Sequence, residues 1–347
     1  MRNFLGFLFL VALPFLAYNQ EKQYKVACIG FYNFENLFDT LDTPKKRDED
    51  FTPQGSYRYN TAIYREKLSH LDQIVSEIGT DITPDGAAIL GVAEVENRKV
   101  LEDFVKQPRV ASRDYRIVHY ESPDERGIDV ALLYQPKYFR VLSSQNYEVE
   151  LYEDNGERDY TRDVLRVSGI LDGEEVHIMV NHWPSRSGGE ARSQPLRIAA
   201  AKVCRGIADS IRQVNPNAKI LIMGDLNDDP SNTSVRDVLS AEPKMSKVRE
   251  GEMFNPMYEF YKKGIGTLAY RDAWNLFDQI ILSKALIDKK LGGYQYLRAQ
   301  IINKPYLYQK TGQYKGYPYR TFAGSTYLGG YSDHFPVCVY LVKEVRP

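Results

Sequence analysis

Short apolar runs recur along the chain, at residues 26–31, 87–93, 130–134, 176–180, 220–223, 279–282 and 337–342. Each is rich in β-branched residues and bounded by polar or glycine-containing stretches, which predicts buried strands. Helical spacing lies between them. Tyr64, Leu68, Leu71, Val75 and Ile78 recur at three- or four-residue steps, and Gly79 follows as a stop. Leu196, Ala200, Val203, Ile207, Ile211 and Val214 repeat the pattern before Asn215-Pro216. Strands interleaved with amphipathic helices predict a layered α/β domain. Residues 164–171 and 175–180, separated by Asp172-Gly173, read as a hairpin, so the sheet is not purely parallel. Residues 40–60 read as a long solvated loop, and residues 284–330, rich in Tyr, Gly and Lys, as an extended surface insertion.

Polar residues collect where these strands end. Asn33 and Glu35 follow the first run; Glu94, Glu96 and Asn97 follow the second. Asn181-His182-Trp183-Pro184 and Gly224-Asp225-Leu226-Asn227 follow two later ones, while Asp278 and Asp333-His334 precede theirs. If the last two strands run antiparallel to the others, all six groups meet at one edge. Such a cluster suits metal-assisted phosphoester hydrolysis, because a hard cation on carboxylate and carboxamide oxygens offsets the charge that repels hydroxide. Oxygen ligands without clustered Cys or His favour Mg²⁺, with Mn²⁺ or Ca²⁺ as substitutes. His334 is placed to deprotonate water if Asp278 or Asp333 holds its ring, and His182 to donate to a phosphoryl or leaving oxygen. His70 reads as a surface residue, and His119 and His177 as packed within strands. Trp183 reads equally as core or as a surface that stacks on substrate.

In this order, Asn33, Glu94, His182-Trp183-Pro184, Gly224-Asp225-Leu226-Asn227, Asp278 through Ser283, and Ser332-Asp333-His334-Phe335-Pro336 resemble the endonuclease/exonuclease/phosphatase superfamily. The resemblance runs over about residues 25–343. It implies a four-layer α/β sandwich, with two central mixed β-sheets flanked by helices and a divalent-metal site at one end. It further implies Glu94 as a metal ligand with Asn33 as its partner, Asp333 as a metal or structural ligand, and Glu35 as a second ligand. His182, Asp225, Asn227, Asp278 and His334 take catalytic roles, His334 as the base and Asp278 orienting it. Glu96, two residues from Glu94, competes for the same assignment. Residues 185–192 resemble the Arg/Gly-rich loop after this histidine in secreted bacterial nuclease-like members, with Arg186 and Arg192 placed to contact phosphates and Trp183 the candidate to stack on substrate.

Composition refines this picture in a few places. The net charge of −1 carries no global basic field, so a nucleic-acid substrate needs a local cleft. Arg2, the apolar stretch at residues 4–17 and the polar residues after it predict a secretory signal peptide over residues 1–20. The remaining 21–347 are then one exported catalytic domain, periplasmic or extracellular. Cys28, Cys204 and Cys338 all sit in apolar patterns and read as small core residues. The expected enzyme is a monomeric secreted nuclease that hydrolyses DNA or RNA. A phosphoesterase acting on phospholipid, in the manner of a sphingomyelinase, or on sugar or inositol phosphates is the alternative. A non-catalytic surface binding protein on the same fold is a second. No amphipathic hydrophobic hairpin is present to enter a membrane, so stable membrane association is not expected.

Overall fold

Near-continuous apolar runs become strands buried on both faces, because each lies in a sheet with a layer above and below it. The computed structural model describes residues 22–152 and 155–345; the predicted signal peptide lies outside them. In chain order the sheet strands are β1 (Gln23–Leu37), β2 (Ala87–Val95), β3 (Arg116–His119), β4 (Asp129–Tyr134), β5 (Phe139–Tyr147), β6 (Val164–Leu171) and β7 (Glu174–His182). They continue as β8 (Lys219–Asp225), β9 (Ala241–Glu242), β10 (Met253–Phe254), β11 (Asp278–Ser283), β12 (Gln295–Ile301) and β13 (Val337–Val345). The longer helices are α1 (Thr61–Glu77), α2 (Arg98–Phe104) and α3 (Glu190–Val214).

One sheet has the order β12-β13-β1-β2-β4-β3, and the second β9-β10-β11-β8-β7-β6-β5. Both are mixed: β1 and β2 are parallel, as are β7 and β8, whereas β13 and β11 run antiparallel to their neighbours β1 and β8. The inner faces pack together through Phe31, Ile89, Leu132, Val167, Val180, Met223 and Ile280, all buried. Their approach is close at Gly91, where a Cβ would stand 2.6 Å from Met223 Sδ and 3.2 Å from Val180 Cγ1. Each such apolar side chain contributes roughly 1.5–3 kcal/mol on burial.

Outside the first sheet lies α1, capped by Asn60 Oδ1, which accepts from Ala62 N (2.9 Å) and Ile63 N (3.2 Å). Its buried stripe of Tyr64, Leu68, Leu71, Ile74 and Val75 matches the predicted periodicity, and Gly79 ends the turn at φ +85°. On the outer face of the second sheet α3 buries Ala200, Cys204 and Ile207 against Met179, Ile220 and Ile222. These are the four layers of an α/β sandwich. The β6–β7 hairpin is present, its turn carrying positive φ at Asp172 and Gly173.

Two loops differ from expectation. The 40–60 segment is not simply solvated: Phe51 stacks between Phe38 and Tyr57, and Asp48, Thr52 and Tyr59 are buried. Aromatics scattered among charges give no period, so this packing has no local signature. The 284–330 segment contains β12, which closes the edge of the first sheet against β13, and it also buries Leu286, Tyr294, Ile302 and Leu307. His70 is half-buried rather than free, its Nδ1 3.0 Å from Gly330 O and its ring stacked on Tyr331. His119 and His177 pack on their strands, against Asp129 and Ser168.

Candidate active site

Strand register brings the polar groups together. Asp225 at the end of β8 is opposite both His182, the last residue of β7, and Asp278, the first of β11. In the other sheet Asn33 pairs with Ala93, next to Glu94, and Phe31 pairs with Val337, three residues after His334. All six groups therefore converge at one end of the sandwich. The backbone there departs from strand geometry: Glu35, Asn36, Glu94 and Asn227 all have φ between +47° and +58°. Non-glycine residues in that region cost of order 1–3 kcal/mol and are held only where their surroundings over-determine them. Gly224 is required beside them, since a Cβ would fall 2.2 Å from Asn181 O.

At the centre His334 Nδ1 lies 2.7 Å from Asp278 Oδ2, which leaves Nε2 facing Asp225 Oδ2 at 3.7 Å and Asp333 Oδ1 at 3.9 Å. Burial disfavours charge on His334, yet Asp278 and Asp225 outweigh it and hold the imidazole well above its ordinary pKa. Asp225 is itself pushed up to about 7, by burial first, with His334 opposing and Asp278 reinforcing the shift. His182 behaves oppositely. Burial, then the charges of Arg162, Arg126 and His334, keep it well below 6.5, so it is a neutral hydrogen-bonding group. Its Nε2 is 3.7 Å from both Glu94 Oε1 and Asp225 Oδ2.

Glu94, His182 and Asp225 present ligand atoms within 4.8 Å of one another, as do Asp225, Asp278 and His334. Asp278 Oδ1 and His182 Nδ1 are buried without a hydrogen-bond partner. Among the described residues Asp225 has no Lys or Arg ion partner, only the two histidines. Buried, uncompensated carboxylate oxygen is the donor set of a hard divalent cation. Glu94 and Asp225 are the residues that would hold it; Asp333 lies outside that group, half-exposed and 3.9 Å from Arg320. Glu96 turns elsewhere, accepting from Asp39 N and Thr43 Oγ1, and is pushed up to about 8 by burial beside Asp39. Of the two glutamates, Glu94 is the one that faces the His182–Asp225 group.

Other predicted residues need correction. Asn33 offers the carboxylates its nitrogen, 3.2 Å from Glu94 Oε1 and 3.1 Å from Asp225 Oδ2, while its oxygen accepts from Glu35 N. It spaces the ligands rather than adding one. Glu35 points away, accepting from Thr321 N at 2.7 Å beside Lys67, and so ties down the late loop instead of a metal. Trp183 is fully buried, its Nε1 donating to Asn181 Oδ1, and has no face to offer a substrate. Arg186 is already engaged with Asn227 O, Glu190, Asp228 and Asp229, and lies over the Phe277 ring. Arg192 lies exposed against Gly188, with no tie to the cluster. Asn97 caps α2, accepting from Val100 N. Asn227 braces the turn, N–H to Asp225 Oδ1 (3.0 Å) and Nδ2 to Trp183 O (2.9 Å).

Two supports have no counterpart in the sequence reading. Arg162, buried, donates to His182 O (3.1 Å) and Trp183 O (2.7 Å) and pairs with Asp124 at 3.0 Å, fixing the backbone that carries His182. Asp228 and Asp229 anchor the turn after Asp225: Asp228 on Arg197 and Ser234, Asp229 on Asn275 and Leu276 N. An isolated charge in a loop gives no sign of whether it will be buried; only the tertiary partner reveals it.

A family model described as the Endonuclease/Exonuclease/phosphatase family matches residues 28–343. No curated protein matches the chain by sequence. Among solved structures, an endonuclease/exonuclease/phosphatase family protein from Bacteroides thetaiotaomicron superposes with a TM-score of 0.55 at 15% identity, covering 94% of this chain and 98% of that one. A humanized D. rerio TDP2 carrying 14 mutations gives 0.54 at 14% identity, over 91% and 98%. D. rerio TDP2 complexed with a single strand DNA product gives 0.51 at 15%, over the same shares. At these identities the likeness is one of fold.

Proposed function

Because the chain belongs to the endonuclease/exonuclease/phosphatase family of metal-dependent phosphoric ester hydrolases, we propose that it is an exported nuclease that hydrolyses phosphodiester bonds of DNA or RNA. One observation carries the hydrolytic half of this reading: the His334–Asp278 pair faces Asp225 and the Glu94–His182 group across one small site. Support for nucleic acid comes from the fold neighbour whose structure holds a single strand DNA product. Support for export is the amino-terminal pattern of Arg2 and residues 4–17.

A divalent cation, with Mg²⁺ the ion best suited to these oxygens, would offset the charge of the phosphate and of the attacking oxygen. In the neutral ring Asp278 holds the proton of His334 on Nδ1, which leaves Nε2 as the acceptor; a cation beside Asp225 would offset the carboxylate charge that otherwise favours the imidazolium. His334 takes a proton from water as the water oxygen bonds to phosphorus and the ester P–O bond breaks; the leaving oxygen takes its proton from solvent. Neutral His182 donates a hydrogen bond to a phosphoryl oxygen without adding positive charge beside His334. Asn33 and Asn36 N keep the Glu94 carboxylate in place, the latter at 2.9 Å.

Plasmid DNA, RNA, sphingomyelin and a bis-aryl phosphodiester, each with Mg²⁺ or with chelator, test the reading. Chelator-sensitive cleavage of the nucleic acids is expected. Turnover of lipid alone would move the enzyme to the phospholipid class, and no turnover at all would leave a binding protein. Mature protein recovered outside the cytoplasm should begin near residue 21.

Glu94→Gln should raise the Mg²⁺ concentration for half-maximal activity by about tenfold or more, as expected when a ligand or its close support is weakened. Glu96→Gln, which alters only the Asp39–Thr43 turn, should leave that concentration unchanged. A metal titration of both variants checks the pair.

A further inference from the structure

Among the described residues six aromatic side chains are exposed: Tyr24, Tyr120, Tyr152, Tyr160, Tyr270 and Trp274. Five of them lie at the catalytic end. Tyr120 follows β3, whose last residue His119 pairs beside the start of β4. Tyr152 and Tyr160 lie between β5 and β6, which meet at Tyr147 and Val164, next to the β7 end that carries His182. Tyr270 and Trp274 belong to the hairpin of Leu268–Tyr270 and Ala273–Asn275, immediately before Asp278. Only Tyr24, at the start of β1, is at the far end.

These rings are braced. Arg158 lies between Tyr152 and Tyr160, 5.4 and 5.7 Å from their centroids, and Arg271 lies 5.1 Å over Tyr270. Trp274 stacks on Phe335 at 5.9 Å and 19°, one residue from His334, and the residue remains 36% exposed. Tyr317 stands 6.4 Å from it, fixed by its hydroxyl to Asp272. Arg320 lies over Tyr314 and 3.9 Å from Asp333.

Held, exposed π-faces at the hydrolytic end are left in water and forgo the gain of burial. Their value lies in what they can stack on. A duplex keeps its bases paired inside and offers mainly phosphates, which calls for a broad basic surface. This chain has a net charge of −1, and Arg158 is already paired with Glu148 at 2.6 Å. Unpaired nucleotides instead present base faces that stack on aromatic side chains.

Resting on the phosphodiesterase reading above, we infer that the substrate is unpaired nucleic acid, and that Trp274 stacks the base next to the phosphate that His334 addresses. The Tyr152–Arg158–Tyr160 group receives bases farther along the strand.

A single-stranded oligonucleotide, its duplex, and the same strand with abasic residues around the cleaved phosphate discriminate the idea, with a bis-aryl phosphodiester run in parallel. The intact protein should cleave the single strand with a kcat/KM about tenfold above the duplex and about tenfold above the abasic strand, the scale of one base stack. Trp274→Ala should lose about tenfold on the single strand and become insensitive to base removal. Tyr270→Ala, which disturbs less packing, should show the same trend more weakly, and Tyr24→Ala should match the parent. Equal cleavage of duplex and single strand, or a Trp274→Ala variant still sensitive to base removal, overturns the inference. Turnover of the bis-aryl diester without strand cleavage overturns it alone, whereas no turnover of any substrate overturns the phosphodiesterase reading with it.

Discussion

Asp278→Asn should lower kcat on a phosphodiester by about 10³- to 10⁴-fold at saturating Mg²⁺, the scale of a lost general base. The reason is tautomeric. In the neutral ring Asp278 Oδ2 accepts from His334 Nδ1 at 2.7 Å, so the other nitrogen keeps a lone pair for water. An asparagine amide can turn its N–H₂ to that nitrogen, which drives the proton to Nε2 and removes the acceptor. Shape is nearly conserved, and His334 N still bonds Ser332 Oγ at 3.1 Å, so the fold should survive. His334→Ala should cost about as much, and the double variant no more than either single, because residues acting as a unit are not additive. A double variant whose loss equals the product of the two would show that they act separately. Parallel thermal unfolding distinguishes a chemical loss from a folding one.

What the sequence revealed of this dyad, and what it withheld, has a physical pattern. All seven apolar runs are strands, and both amphipathic repeats are helices, because burial on a sheet or helix face imposes a period that single residues carry. The ends of those runs mark where polar groups must emerge, which is why Glu94, His182, Asp225, Asp278 and His334 were legible. Side-chain direction was not. Glu35, Glu94 and Glu96 are alike in sequence context, yet one faces Thr321, one the catalytic cluster and one Asp39. The choice depends on partners tens or hundreds of residues away. Trp183 shows the same limit from the other side, since its indole N–H is satisfied by Asn181 and its ring packs in the core under α3. Likewise β12, polar and irregular in sequence, is a strand because β13 offers it an edge.

The buried ion pair behind the catalytic turn should be the costliest structural residue to lose. Asp228→Ala is expected to destabilise the protein by about 3–5 kcal/mol, the usual cost of stranding one member of a buried pair. Arg197 Nε lies 2.7 Å from Asp228 Oδ1, bent from straight hydrogen-bond geometry, and both side chains are essentially out of contact with water. Asp228 also accepts from Ser234 Oγ at 2.6 Å. Its removal would leave the guanidinium charged in a site where burial already disfavours charge. Arg197 keeps bonds to Ser185 O, Ser193 Oγ and Glu190 O, so it cannot swing out without abandoning those too. Adding Arg197→Met to Asp228→Ala should therefore recover part of the loss, because the uncompensated charge goes with it. Denaturant midpoints at unchanged slope measure both effects. Equal stability of Asp228→Ala and the parent would mean that the pair contributes nothing net. The turn would then be held by Asp229 through Asn275 and Leu276 N instead, and Asp229→Ala should carry the loss.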